Sequence, residues 1–381
     1  MQKQIHSIYF LRFLAMLLVV LVHVTGTFYN TLPMDGDAFA KYHFLNRFIR
    51  IEAGIFILLT GLVFFYNFSE KKMSIPLFLN YYKKRVLYII VPYIVWAVFY
   101  EFYANITIGR ELSFTEVLFR LLQGESYYQL HFIFLIVQFY LVFPLIIILA
   151  RKSSFFRNYM WLIGMIVQVV YYYINSTYNL VPFKLFLEMT GPYLMGGWIG
   201  MHYLSQKKKA FNTGPNIIYG LIFLLFGTTI SLLYYHLYTM NTFYLEGVYY
   251  KMVGTIYLTA GSYFLFRMAE IAADKASEKT MNFIKNIALY SFGFYLLHPF
   301  VLNEVSRFVP VHSNYLFHLE MLLRYTLTVI GCYVIIWTIH KLTPFPGLLF
   351  GKLPKKAAPL NAFKMKESES YSYRNNESRS S

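Results

Sequence analysis

IYFLRFLAMLLVVLVHVTGTFY, residues Ile8–Tyr29, is the stretch that decides the fold. It has the length that crosses a bilayer as a helix, and its only ionisable groups are Arg12 and His23. Eleven steps of about 100° return a helix to within about 20° of its starting direction, so the two side chains share one face about 16 Å apart along the axis. A cation and an imidazole in a membrane span are costly unless they face a bundle interior or a watery cavity. On this stretch alone, the pair fits equally well an arginine that snorkels to the inner interface and a histidine satisfied by a neighbouring helix.

The rest of the chain agrees with a membrane setting. Of its 381 residues, 57% are hydrophobic and only 14% charged, against about 25% charged in soluble domains. Mean hydropathy is +0.47. The net charge of +16 does not point to nucleic acid, because the basic residues lie in the gaps between apolar runs. Cys332 is the single cysteine, which excludes an intrachain disulfide and makes zinc binding weak. The first apolar run lacks a small-residue cleavage site and reads as a true span rather than a signal peptide.

Hydropathy predicts an all-α integral membrane protein of about ten transmembrane helices, near 8–29, 44–66, 86–106, 131–150, 158–174, 184–204, 216–236, 248–269, 286–304 and 321–341. Alternate gaps are basic: Lys71 to Arg85, Arg151 to Arg157, Lys207 to Lys209 and Lys275 to Lys285. The positive-inside rule assigns these, and both termini, to the cytoplasm of a multi-pass plasma-membrane protein. Residues 1–345 read as one membrane domain. Residues 346–381, ending RNNESRSS, read as a disordered basic and polar cytoplasmic tail. Ser113–Gln123 reads as an amphipathic surface helix, with Ser113 and Glu116 as a capping box. No internal repeat marks an inverted-repeat transporter.

Further ionisable groups fall in the spans. Arg47, Arg50 and Glu52 stand at the depth of His23, where Glu52 either orients His23 or pairs with Arg50. Tyr295 and His298 share a face of the ninth helix. Pro299 is expected to break the backbone pairing there. Tyr128, Gln129 and His131 sit at the outer boundary, where an aromatic belt accounts for Tyr128. The P-loop, the dinucleotide glycine fingerprint, the GxSxG elbow and HExxH are absent, and the scattered histidines make no metal site.

Five stretches in order resemble the acyltransferase-3 family of integral membrane acyltransferases over residues 5–345. They are the Arg12–His23 spacing, EAGIFILLTG (52–61), NYYKKRVLYIIVPY (80–93), YYQLHFIFLIVQFYLVFP (127–144) and SFGFYLLHP (291–299). Thr60 stands where the family has Ser, and Gln129, Leu130 and His131 where it has His-Leu-Trp. Tyr9 replaces an Asp three residues before the arginine, a feature similar to the polysaccharide-intercellular-adhesin subgroup. The resemblance implies transfer of an acyl group, usually acetyl, from cytoplasmic acyl-CoA to a hydroxyl of a cell-surface or secreted glycan. Acyl-CoA is then a donor substrate and no bound cofactor is implied. On this reading Lys83, Lys84 and Arg85 hold the donor phosphates and Arg12 grips a phosphate or the pantetheine arm. His23 is the general base in preference to an acyl carrier, with Arg50 or Tyr295 at the oxyanion and Glu52 and His298 as further site residues. Polysaccharide export, or a non-catalytic subunit of a synthase complex, is the alternative.

Overall fold

The structure, a computed structural model, describes residues 4–354 and 357. Among these residues every regular element is helical. In chain order the α-helices are Ser7–Tyr29 (α1), Asp37–Phe48 (α2), Glu52–Phe68 (α3), Ile75–Arg85 (α4), Val91–Ile108 (α5), Phe114–Gln123 (α6), Leu130–Lys152 (α7) and Ser154–Tyr178 (α8). They continue with Thr190–Met201 (α9), Tyr203–Ala210 (α10), Thr213–Tyr234 (α11), Gly247–Lys275 (α12), Glu278–Ala288 (α13), Ser291–Phe308 (α14), Phe317–Leu342 (α15) and Gly347–Phe350 (α16). Six helical stretches are long and apolar enough to cross a membrane: Ser7–Tyr29, Asp37–Phe68, Ile75–Ile108, Leu130–Lys152, Thr213–Thr239 and Phe317–Leu342.

Helix α1 is the hub and packs on α2, α3, α12, α13, α14 and α15. The tightest pair is α3 with α9. Without a hydrophobic drive between helices in lipid, small residues bring backbones together. A Cβ at Gly61 would strike the Tyr193 carbonyl, and one at Gly196 the Leu58 carbonyl, so neither position admits a side chain. Aromatic side chains fill the adjoining core, where Phe139 stacks on Tyr193 at 4.0 Å and Phe64 meets Phe143 at 5.1 Å. Leucines and isoleucines of α11, among them Leu221 and Leu225, remain exposed, as a lipid-facing helix requires.

Several expected spans are interrupted where a side chain bonds to a group far along the chain. The helix expected over 44–66 is α2 and α3, because the Tyr257 hydroxyl donates to the Phe48 carbonyl at the break. The span expected from 184 begins only at Thr190, after a 3-10 turn at Phe186–Met189. Gln138 holds the entry extended, donating to the Lys184 carbonyl (2.9 Å) and accepting from the Phe186 N–H (2.9 Å). The ninth span divides into α13 and α14 near Tyr290, whose hydroxyl meets His340 Nδ1 at 2.9 Å.

Two local expectations are corrected. The amphipathic helix α6 forms, but Ser113 makes no side-chain cap. Glu116 is drawn instead to Arg120 (3.1 Å), which also makes a two-point contact with buried Glu101 (3.0 and 2.8 Å). Residues 346–354, placed in the tail from sequence, contain α16, and Phe350 is buried against Trp96. The remainder of that tail, apart from residue 357, lies outside the described residues.

Candidate functional site

Because α1 is unbroken, Arg12 and His23 keep the separation of about 16 Å that their spacing sets. Both retain some accessible surface, as does Glu52, although α1 is surrounded by other helices. Helix α7 is not among the close neighbours of α1, yet His131 of its first turn is near enough to act electrostatically on His23, and Tyr140 of its middle on Arg12.

At the His23 end, the imidazole lies 5.2 Å from that of His298, the rings inclined by 29°. Its other neighbour is the Tyr128 ring, at 4.7 Å. Tyr128 leans on Tyr127 (5.0 Å), which stacks on fully buried Tyr100 (4.4 Å) and receives a hydrogen bond from the Asn303 amide (2.8 Å). The turn of α1 that carries His23 is fixed by Asn46 of α2. The Asn46 amide donates to the Val22 carbonyl (2.6 Å) and to Thr25 Oγ1 (2.8 Å).

His298 is fully buried on α14. Its Nδ1 donates to the Phe294 carbonyl at 3.0 Å, which selects the tautomer whose lone pair is on Nε2. That Nε2 has no hydrogen-bond partner among the described residues, and neither does the side-chain amide of buried Gln129. Pro299 does not end α14, which runs through it. The Tyr100 hydroxyl enters the helix ladder there, donating to the Leu296 carbonyl (2.7 Å) and accepting from the Phe300 N–H (3.3 Å).

Glu52 makes no hydrogen bond or ion pair with either of its two expected partners among the described residues, although Arg50 is near enough to act on it electrostatically. No ion pair to Arg50 forms among the described residues, Arg50 turning to Asn46 (3.4 Å), and Glu52 Oε2 is buried without a partner. Tyr295 donates its hydroxyl to the Gln129 carbonyl, so that proton is not free for an oxyanion. Arg50, exposed at the rim, and His131 are near enough to act electrostatically on His23.

At the Arg12 end, Tyr9 and Tyr140 are the titratable neighbours of the guanidinium. Arg85 reaches the same tyrosine, its guanidinium carbon 4.5 Å from the Phe64 ring centre, 4.9 Å from Tyr81 and 5.2 Å from Tyr140. Lys285 of α13 stands 5.7 Å over the Tyr9 ring. Lys83 and Lys84 are exposed and are not brought into this group. The structure therefore assembles His23, His298 and Tyr128 at one end, with Arg12 and Arg85 at the other. Sequence reasoning set Tyr128 aside as a belt residue and did not single out Asn46 or Tyr100. Among the described residues, no group of three or more His, Cys, Asp or Glu could hold a metal ion.

Comparison with known proteins bears on this arrangement. The family model described as an acyltransferase domain, that of acyltransferase-3, matches residues 5–339. A probable poly-beta-1,6-N-acetyl-D-glucosamine export protein of Staphylococcus aureus (strain MSSA476) is 21% identical over 318 residues, covering 82% of this chain and 87% of the relative. The protein of that name from strain MRSA252 is 21% identical over 284 residues, covering 74% and 77%. No solved structure matches the chain. With the match spanning nearly the whole helical bundle, and the arginine–histidine helix at its centre, the chain belongs to the acyltransferase-3 family of multi-pass membrane proteins.

Proposed function

We propose that this chain is an O-acyltransferase of the plasma membrane, moving an acyl group, in the first instance acetyl, from cytoplasmic acyl-CoA to a hydroxyl of an extracytoplasmic glycan. The observation that carries the proposal is the His23–His298 contact, 5.2 Å between rings, on the polar face of α1 that ends at Arg12. The reading takes ten crossings with both termini cytoplasmic. Its support is the alternation of basic gaps, together with α8 and α12, of 25 and 29 residues, which have the length of spans.

In this mechanism the donor enters at the Arg12 end. Arg12 and Arg85, set around Tyr140, hold its phosphates or the amide oxygens of the pantetheine arm, for which guanidinium groups are suited. The arm extends along the face of α1 that carries both residues and brings the thioester to His23. An imidazole nitrogen of His23 takes the proton of the sugar hydroxyl as its oxygen attacks the thioester carbonyl carbon. The C–S bond then breaks, and the CoA sulfur leaves with the proton returned from the imidazolium. His298 packs on one side of His23 and Tyr128 on the other, and both limit its rotation.

Export of a polysaccharide is the second reading, favoured by the export role for which the relatives are named. One strain separates the two. In His23→Gln, acyl transfer should fall by about 10²–10⁴-fold, the usual effect of losing a general base. The amount of external glycan should stay normal, measured together with its acylation by mass spectrometry. Glycan retained inside the cell, with unchanged acylation per sugar, would assign the residue to export.

A further inference from the structure

A cavity of about 390 Å³ lies between the ends of α8 and α12 and the loop that leads into α9, within the size range of small-molecule sites. Glu125 at its edge is three residues before Tyr128, the residue whose ring packs on His23 at 4.7 Å. Tyr172 and Phe183 give it aromatic walls, and Glu125, Lys184, Glu188 and Lys251 line it with charge. None of these four makes an ion pair within 4.0 Å among the described residues. Their formal charges cancel, which argues against a polyanion and against a simple cation.

The cavity is built rather than incidental. Asn175 clips its loop by accepting from the Val181 N–H (2.9 Å), and Gln138 of α7 holds the Lys184 carbonyl (2.9 Å). The Tyr172 hydroxyl donates to the Glu188 carbonyl (2.9 Å), and Lys251 Nζ lies 4.9 Å from the Tyr172 ring centre. Aromatic faces beside carboxylates and ammonium groups match a pyranose, which offers apolar C–H faces and a rim of hydroxyl donors and acceptors. The cavity also lies beside the first turns of α7, where its wall residue Phe183 meets Phe134 at 6.3 Å between ring centres, one turn from His131.

We infer that this cavity is a binding subsite for an uncharged segment of the acceptor glycan, a pyranoside strand that it holds while an adjoining residue of the strand reaches His23. The inference rests on the acceptor reading given above. Its test needs neither donor nor turnover, so it can fail while acyl transfer stands.

The full chain in lipid nanodiscs is titrated with a fluorescent β-1,6-linked N-acetylglucosamine hexasaccharide, and binding is read by anisotropy. Tyr172→Ala, and Glu188→Gln combined with Lys251→Ala, should each weaken binding at least about tenfold, the effect of removing a main anchor. Lys208→Ala, at an exposed position outside the cavity, should bind as wild type does, and the cavity variants should elute from size exclusion as wild type does, which guards against a loss caused by misfolding. Equal binding by wild type and the cavity variants would overturn the proposal and place the glycan elsewhere. So would a wild-type protein that binds no hexasaccharide, or one that prefers a polyphosphate probe.

Discussion

Replacing Tyr100 by Phe tests whether the backbone of α14 is arranged for the site. The hydroxyl is wholly buried and serves two groups of one helix, the Leu296 carbonyl at 2.7 Å and the Phe300 N–H at 3.3 Å. It stands where Pro299 has already removed one N–H from the ladder. Removing it leaves two backbone groups to find partners in a dry interior. Interhelical hydrogen bonds in membranes average about 0.6 and reach about 1.7 kcal/mol, so the pair together is worth about 1–3 kcal/mol. A direct Phe300 N–H to Leu296 carbonyl bond can recover part of this, but only by tightening the turn that carries His298 and so moving that ring against His23. Tyr100→Phe should therefore lower the midpoint of reversible detergent unfolding by the equivalent of about 1–3 kcal/mol. It should also reduce kcat while leaving KM for acyl-CoA near its wild-type value. Pro299→Ala in the same background returns an N–H to the ladder and should restore stability but not kcat. A Tyr100→Phe protein with unchanged stability and unchanged turnover would refute the reasoning, since the hydroxyl would then be dispensable.

Arg12→Ala should raise KM for acyl-CoA about 10- to 100-fold, as expected for a lost charge-assisted hydrogen bond, and Arg12→Lys should recover only part because an ammonium lacks the planar fork. Full activity in Arg12→Ala would mean that the residue only snorkels. Arg85→Ala should cost about 1–2 kcal/mol of unfolding stability through its lost aromatic contacts, whereas Lys83→Ala and Lys84→Ala, at exposed positions, should leave the unfolding curve in place. Reporter tags after Lys209 and at the C-terminus should be cytoplasmic and one near Gly109 external, with accessibility labelling of intact cells as the measurement. An external C-terminus would remove the route for a cytoplasmic donor.

The axis of the site was legible in one helix. The spacing of Arg12 and His23 set both their shared face and their separation, and α1 needed nothing else to fix them. The proximity of His23 to His298 depends on the packing of α14 against α1, which no local pattern encodes. Family motifs singled out His298 but gave no distance. Tyr128 was hidden by abundance, as one of 36 tyrosines in a chain where aromatics also mark membrane boundaries. Breaks at Phe48 and before Thr190 were invisible for another reason. Each depends on a partner far along the chain, Tyr257 or Gln138, and although Gly191 and Pro192 stand in the first turn of α9, they do not encode the extended entry before it. The charges of the Glu188 cavity were not legible as a group, because Lys184 and Glu188 fell in the span expected over 184–204 and Lys251 in that over 248–269, and separate chain segments must converge before they enclose a space.

The seat of α16 sets the order in which this protein can be completed. Trp96 Nε1 donates to the Leu349 carbonyl (2.8 Å), and Phe350 packs under the same indole and against Gly293. Helix α5 leaves the ribosome long before residues 349 and 350 do, so the bond from its indole to Leu349 forms only when the chain is nearly complete. Closure of this side of the bundle is thus a late event of biogenesis that follows insertion of α15. A nascent chain stopped short of Gly347 would carry every span and still present an unfinished surface on α5 to the quality-control proteases of the membrane.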